Sequence, residues 1–253
     1  MSLVSLEERP GGVRLLRLDD PDRRNAISPR LQDDLCAAVD AVAADLRART
    51  LVITGNGTAF CAGADLVASF GDTGRTVRQV REDLRATYDS FLRVRRLEIP
   101  TIAAVQGPAV GAGVNLALSC DVRIAGPQAK FGITFSRLGL HPGGGCTYFL
   151  VRALGTQRAL SLLLDGATLT AEEAVATGLV REVADDPLAE ALAVATRWAA
   201  LDTGLVADIK RAVALATTGG FEEVLEFEAW AQASSAGSPA VAKAVEARRK
   251  AKS

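Results

Sequence analysis

Residues 131–145 read FGITFSRLGLHPGGG, an apolar strand, a short turn and then a proline before three glycines. That is the composition of a site wall, yet the one side chain in it that titrates near neutral pH is His141, the sole histidine of the chain. Sites that need two histidines are excluded. A nucleophile–histidine–acid triad would have to use His141, and the chain has no G-x-S-x-G elbow. It also has no Walker lysine loop and no strand-linked G-x-G-x-x-G. A single loop histidine more often faces solvent or packs at a wall. Cys146 follows the glycines near a helix start, where a thiol pKa can fall, although packing is the better reading of a small residue there. No tight Asp/Glu cluster stands out, and the pairs Asp33/Asp34 and Glu172/Glu173 read as solvated helix faces. No metal site is expected.

Two other segments offer backbone rather than side-chain chemistry. In ITGNGTAFCAGADL (53–66) a buried strand runs into Cys61-Ala62-Gly63-Ala64 and then Asp65. Small side chains let a ligand approach the main chain closely. In VQGPAVGAGVNLALSCD (105–121) a strand turns into a helix beginning near Gly111-Ala112-Gly113. A helix start carries unpaired N–H groups and partial positive charge. Converging N–H groups from two such loops would make an oxyanion hole. Tight strand–helix packing asks for the same small residues, so either segment alone favours the packing explanation.

The elements that must position these segments alternate through the first half. Strands are predicted at 13–18, 50–55, 101–105, 121–125 and 130–133. Helices are predicted at 29–45 with Ser28 as N-cap, at 75–97, and from the 111–113 glycines through about Ser119. This alternation argues for an α/β fold with crossover connections. From Gly144 the pattern is almost all helical: 144–153, 156–164, 171–177 capped by Thr170, 187–201, 205–216, 221–235 and 240–250. One strand, Leu179–Val183, interrupts it, and a boundary is expected near residues 200–204.

The 253 residues carry a net charge of −1, which argues against a nucleic-acid partner. Cys36, Cys61, Cys120 and Cys146 are scattered without a C-x-x-C pair, as expected of reduced thiols in a cytoplasm. The first residues, MSLVSLEERPGGV, lack the apolar run of a signal peptide. The longest apolar stretch, near 101–119, is broken by Gln106, Gly107, Pro108 and Asn115, and no membrane span is expected.

FCAGADL, QGPAVGAGVNLALSCDVRIA, FGITFSRLGLHPGGG and TLTAEEAVATGLVREV occur in that order. The combination resembles the enoyl-CoA hydratase/isomerase family, the crotonase superfamily, over roughly residues 10–200 and on into the C-terminal helices. The resemblance implies a crotonase (ClpP-like) spiral of ββα units over residues 1–200, then a helical trimerisation region over 201–253. It implies a homotrimer or a dimer of trimers, acyl-CoA thioester as ligand, no separate cofactor and a place in fatty acid or other lipid metabolism. The N–H groups of Ala64 and Ala112 match the oxyanion-hole positions, where preorganised donors contribute about 3 kcal/mol each. Ala112 stands where many members have glycine, a change that leaves the backbone donor in place. Segment Ala62–Leu66, including Asp65, resembles the part that contacts adenine and pantetheine. Arg23 and Arg24, just before Asn25-Ala26, match the region approaching the CoA phosphates, although two exposed loop arginines would look the same.

The resemblance also marks departures. The two glutamates of the family's hydratases would fall at Asn115 and Phe135. An amide holds a water or a carbonyl but exchanges no proton near pH 7, and a phenyl ring does neither. Gly143 matches the position that helps hold the water. Leu66, Val67, Phe70 and Phe135 suggest an aliphatic tail, and His141, near the water-holding glycine, is a further binding candidate. Asp65 is a weak candidate for a substitute base, and Asp121 reads as structural. Ala247, flanked by Arg248 and Arg249, stands where members often have a CoA-contacting lysine. The reading is therefore an acyl-CoA-binding member for which two-glutamate hydration is disfavoured. The alternative is a non-catalytic acyl-CoA carrier or sensor.

Overall fold

Buried runs such as TLVITG and TIAAV become strands because both of their faces are covered. A computed structural model describes residues 2–250. They form two units, one ending at Ala200 and the other beginning at Leu201. The first opens with β1 (Val4–Glu8), β2 (Val13–Leu18), α1 (Pro29–Ala44), β3 (Thr50–Gly55), α2 (Leu66–Phe70), α3 (Val77–Leu92) and β4 (Thr101–Val105). It continues with β5 (Ala109–Val110), α4 (Ala112–Ser119), β6 (Val122–Ala125), β7 (Lys130–Gly132), α5 (Cys146–Leu154) and α6 (Thr156–Asp165). It closes with β8 (Thr168–Thr170), α7 (Ala171–Ala176), β9 (Glu182–Val183) and α8 (Pro187–Ala199). The second unit carries α9 (Thr203–Leu215), α10 (Phe221–Ala236) and α11 (Pro239–Lys250).

One sheet has the order β1-β2-β3-β4-β6-β9, and a smaller one the order β5-β7-β8. β1 pairs antiparallel with β2, and from β2 to β9 the neighbours in the large sheet run parallel. In the small sheet β5–β7 is parallel and β7–β8 antiparallel. Two turns of chain, β4–β5 and β6–β7, leave a strand in the large sheet and pass at once to the small one. The preceding turn contributes only a bridge from Cys61 to Ala109. This is the spiral of ββα turns that the sequence leads one to expect.

Alternation along the strands divides the core. Val13, Leu15, Val52, Ile102, Ala104 and Ile124 meet Ala191, Val194 and Ala195 of α8. Leu16, Leu18, Leu51, Ile53, Ala103 and Val105 belong to the larger core, with Leu31 and Leu35 of α1 and Val114 of α4. Truncating a large side chain in either layer would cost about 2–5 kcal/mol. Arg14 is 3% exposed, and its charge is matched by Asp45 at 2.5 Å. Asp121 fixes the start of β4 by accepting the Thr101 N–H and hydroxyl at 2.8 and 2.9 Å.

Several local expectations need correction. The 75–97 helix starts only at Val77, behind a Thr76–Gln79 capping box, and after Leu92 the chain tightens into a 3-10 turn. Of the strand expected over Leu179–Val183, only Glu182–Val183 forms a strand: Val180 N–H returns to Ala174 O, although Arg181 N–H already reaches Arg123 O of β6. Two carboxylates read as solvated are engaged. Asp34 accepts the Leu3 N–H, and Glu173 completes a capping box with Thr170. Ser28 caps α1 as expected, accepting from Leu31 N–H.

In the second unit α9 packs on α10, with the Arg211 guanidinium 5.3 Å from the Phe227 ring centre. Ile209, Val213, Phe221 and Trp230 of this unit are all exposed. Ala247, Arg248 and Arg249 lie near the end of α11 and are exposed. Among the described residues no helix is long and apolar enough to cross a membrane.

Candidate functional site

The turn after β3 is held by two amides. Asn25, fully buried and in a left-handed conformation (φ 56°), donates to the carbonyls of Asn56, Ala59 and Phe60. Gln106 donates to Gly55 O and Ala59 O at 2.7 and 2.8 Å. Residues 60–61 therefore lie against 108–110, where Phe60 and Cys61 N–H share Pro108 O and Val110 N–H meets Cys61 O. Glycine is required on both sides of this contact. A Cβ on Gly113 would stand 2.2 Å from Cys61 O, and one on Gly63 (φ +97°) would stand 2.6 Å from Val110 O.

These approaches bring the two predicted donor segments together. The point where Gly63 would carry a Cβ is 3.5 Å from Ala112 N. Ala112 opens α4 behind Gly111, and Ala64 follows Gly63. Among the described residues, no acceptor takes the N–H of either Ala64 or Ala112. The arrangement offers two free backbone donors on adjacent loops.

Phe135 closes in from another side, its Cζ 3.7 Å from where a Cβ on Gly111 would be. Asn115 lies on α4 at 1% exposure. Its Nδ2 donates to Gly143 O at 2.9 Å, while its Oδ1 is buried without a partner. The glycine run is packed round its main chain. A Cβ on Gly144 would stand 2.7 Å from both Asn115 Nδ2 and Phe91 Cζ, and one on Gly143 would stand 2.1 Å from the Tyr88 hydroxyl. Tyr88 accepts a hydrogen bond from Gly144 N–H, and burial, partly offset by that bond, pushes its phenol above the usual tyrosine range. The sequence analysis missed Tyr88, Asn25 and Gln106. For Tyr88 the available signal was modest: Tyr88 and Phe91 stand three apart on α3.

The remaining candidates separate into two groups. Residues 24–27 run alongside 62–65, with Ala62 N–H on Arg24 O, Ile27 N–H on Gly63 O and Asp65 N–H on Ile27 O. Asp65 caps α2 by accepting from Val67 and Ala68 N–H, and pairs with Arg23 at 2.5 Å. The Ala68 N–H and then the Arg23 guanidinium hold its carboxyl below the usual range. It is thus a poor proton acceptor. Arg24 is exposed in a left-handed conformation, and Ala26, Ala62 and Phe70 are half-buried. Leu66 and Val67 are exposed at 46% and 81%. His141 is exposed, with its Nδ1 2.8 Å from Pro142 O. Burial pushes the thiols of Cys61 and Cys146 up to about 12, so neither is a reactive thiolate. Among the described residues no group of three or more His, Cys, Asp or Glu is placed to hold a metal.

A model of the family described as enoyl-CoA hydratase/isomerase matches residues 8–251. The protein named "Probable enoyl-CoA hydratase EchA14" of Mycobacterium tuberculosis is 49% identical over 188 residues, 74% of this chain and 72% of its own. A 2,3-dehydroadipyl-CoA hydratase of Escherichia coli is 40% identical over 200 residues, 78% of this chain and 75% of its own. Among solved structures, one assigned as an enoyl-CoA hydratase/isomerase from Mycobacterium abscessus superposes with a TM-score of 0.91 at 32% identity, covering 98% of this chain and 96% of that one. Another, assigned as an enoyl-CoA hydratase from Thermobifida fusca and solved in complex with CoA, gives 0.83 at 30% identity, covering 92% of each.

Proposed function

Given that this chain belongs to the enoyl-CoA hydratase/isomerase family and has its crotonase fold, we propose that it binds acyl-CoA thioesters and polarises the thioester oxygen with the N–H groups of Ala64 and Ala112. The observation that carries this is the pair of backbone donors without an acceptor in the chain, set on touching loops. Charge develops on a thioester oxygen as an enolate forms, and preorganised donors stabilise that state more than the ground state. The family match and the CoA complex of a 30% identical structure support CoA as the carrier group. The Arg23–Asp65 corner, with Arg24, Ala26, Ala62 and Leu66, is assigned to the CoA end, and Phe70 and Phe135 to the acyl end. The thioester is itself the ligand, and no separate cofactor enters the reading.

We disfavour hydration by two glutamates, because by the resemblance Asn115 and Phe135 fall at the two carboxylate positions. A buried acceptor is ordinarily paired, so Asn115 Oδ1 is assigned a donor on the ligand. Gly143 belongs to the turn that Asn115 fixes, and the Tyr88 hydroxyl is a donor available to a developing enolate at that same turn. Self-association into trimers or hexamers is part of the proposal, supported by the exposed Phe221 and Trp230 of the second unit. The four cysteines form no disulfide, which is compatible with a reducing, cytoplasmic setting.

The test follows loss of enoyl absorbance when excess protein meets trans-2-enoyl-CoAs of short and long chain, with a parallel binding titration. Turnover lost in Tyr88→Phe supports an enzyme using this site. Saturable binding without turnover would make the chain a carrier. Absence of both would overturn the reading.

A further inference from the structure

One face of α3, Tyr88 apart, has no role in the site described so far. Val77, Val80, Arg81, Leu84, Arg85 and Tyr88 line, with Arg75, a groove of about 500 Å³. At one end of the groove stands Tyr88, whose hydroxyl accepts from the Gly144 N–H. Its middle is aliphatic, and its rim is cationic.

The cations differ in how they are held. Arg75 is fixed by Asp83 at 2.6 Å and by Ser69 O, and its Nε is buried without a partner. Arg78 pairs with Glu82, and Arg93 and Arg96 with Asp89. Arg81 and Arg85 are exposed, and neither pairs with an acid among the described residues. They stand four apart on one helix face, where like charges repel. At 1.5 Å of rise per residue, Arg85 is about 4.5 Å and Arg81 about 10 Å along the axis from Tyr88. An anion lying there would relieve the repulsion, and guanidinium groups suit carboxylates.

We propose that the α3 groove receives the acyl chain and selects thioesters whose far end carries a carboxylate, bound by Arg81 and Arg85. This rests on the acyl-CoA reading above. The geometry favours the acyl end over the CoA end. The Arg23–Asp65 corner is assigned to CoA and the thioester to Ala64 and Ala112, while Tyr88 at one end of the groove meets the Gly143–Gly144 turn that Asn115 of α4 holds, on the helix that Ala112 opens. The roughly 10 Å between Tyr88 and Arg81 suits a chain of medium length.

The test titrates the full-length protein with free CoA, with octanoyl-CoA and with the octanoyl-CoA analogue bearing a terminal carboxylate. The carboxylated thioester is expected to bind about tenfold tighter than octanoyl-CoA, as one charge-assisted contact would give. The double variant Arg81→Gln/Arg85→Gln is expected to erase that advantage while leaving octanoyl-CoA within about twofold, and circular dichroism verifies its fold. Equal binding of both tails by the wild type overturns the inference alone. A double variant that weakens free CoA and both thioesters alike also overturns it, since the arginines would then serve the CoA phosphates. If wild-type protein binds none of the three, the acyl-CoA reading falls with it.

Discussion

At the scale of single residues, two ionisable groups give directional tests. Tyr88 has its phenol pKa raised by burial, with the Gly144 N–H pulling the other way. A group whose folded pKa lies above its unfolded value contributes stability that is present below the unfolded pKa, about 10 for tyrosine, and is lost as pH rises through the folded one. Phenolate absorbance should therefore show a component titrating above the ordinary range that Tyr88→Phe abolishes. The same variant should lose about 1 kcal/mol of unfolding free energy at neutral pH for the missing acceptor. Asp65 is the opposite case, its pKa lowered by the Ala68 N–H first and by Arg23. Its contribution is present above the unfolded value of about 3.9 and is lost as pH falls through the folded pKa. The denaturation midpoint of Asp65→Asn should fall less steeply in acid than that of the wild type. An unchanged acid slope would mean that the α2 cap and the Arg23 pair contribute nothing to folding.

At the scale of elements, the close packing of β3's exit against α4 is the feature most exposed to test. A Cβ on Gly113 would meet Cys61 O at 2.2 Å, a backbone atom that cannot swing away. Gly113→Ala should destabilise by about 1–3 kcal/mol, as overpacking does, and should disturb the Ala112 N–H as well. Chemical denaturation checks the first effect and acyl-CoA titration the second. The sequence showed this region well, because QGPAVGAG and FCAGAD place small residues where main chains must touch. It also showed the parallel strands, whose buried runs leave little choice of environment. It was silent on β1, whose VSLEE alternates polar and apolar residues and becomes a strand by pairing with β2. For Tyr88 it offered only the three-residue spacing to Phe91, since no local pattern says which residue of a charged helix will meet a glycine turn more than fifty positions away. His141 is the converse case. Its chemistry was legible, but its outward position depends on the loop that carries it.

At the scale of the whole molecule, the second unit exposes Phe221 at 77% and Trp230 at 72%. Apolar surface of this kind ordinarily marks an interaction site. Sedimentation should give a mass three or six times that of the chain, and Phe221→Asp/Trp230→Asp should shift the population toward smaller species. A monomer at micromolar concentration would remove the trimer from the account. Assembly, unlike the fold of one chain, leaves only indirect marks in sequence, since an exposed aromatic residue does not name its partner.

The central claim is that Ala64 and Ala112 hold the thioester oxygen, and vibrational spectroscopy of a bound thioester addresses it most directly. Carbonyl-labelled acyl-CoA should show its C=O stretch moved to lower frequency on binding the wild-type protein. Ala112→Pro should abolish most of that shift, because proline at the first position of α4 removes the N–H while remaining compatible with a helix start. A carbonyl band at its solution frequency in the wild-type complex, or a shift that survives Ala112→Pro in a folded variant, would contradict the account.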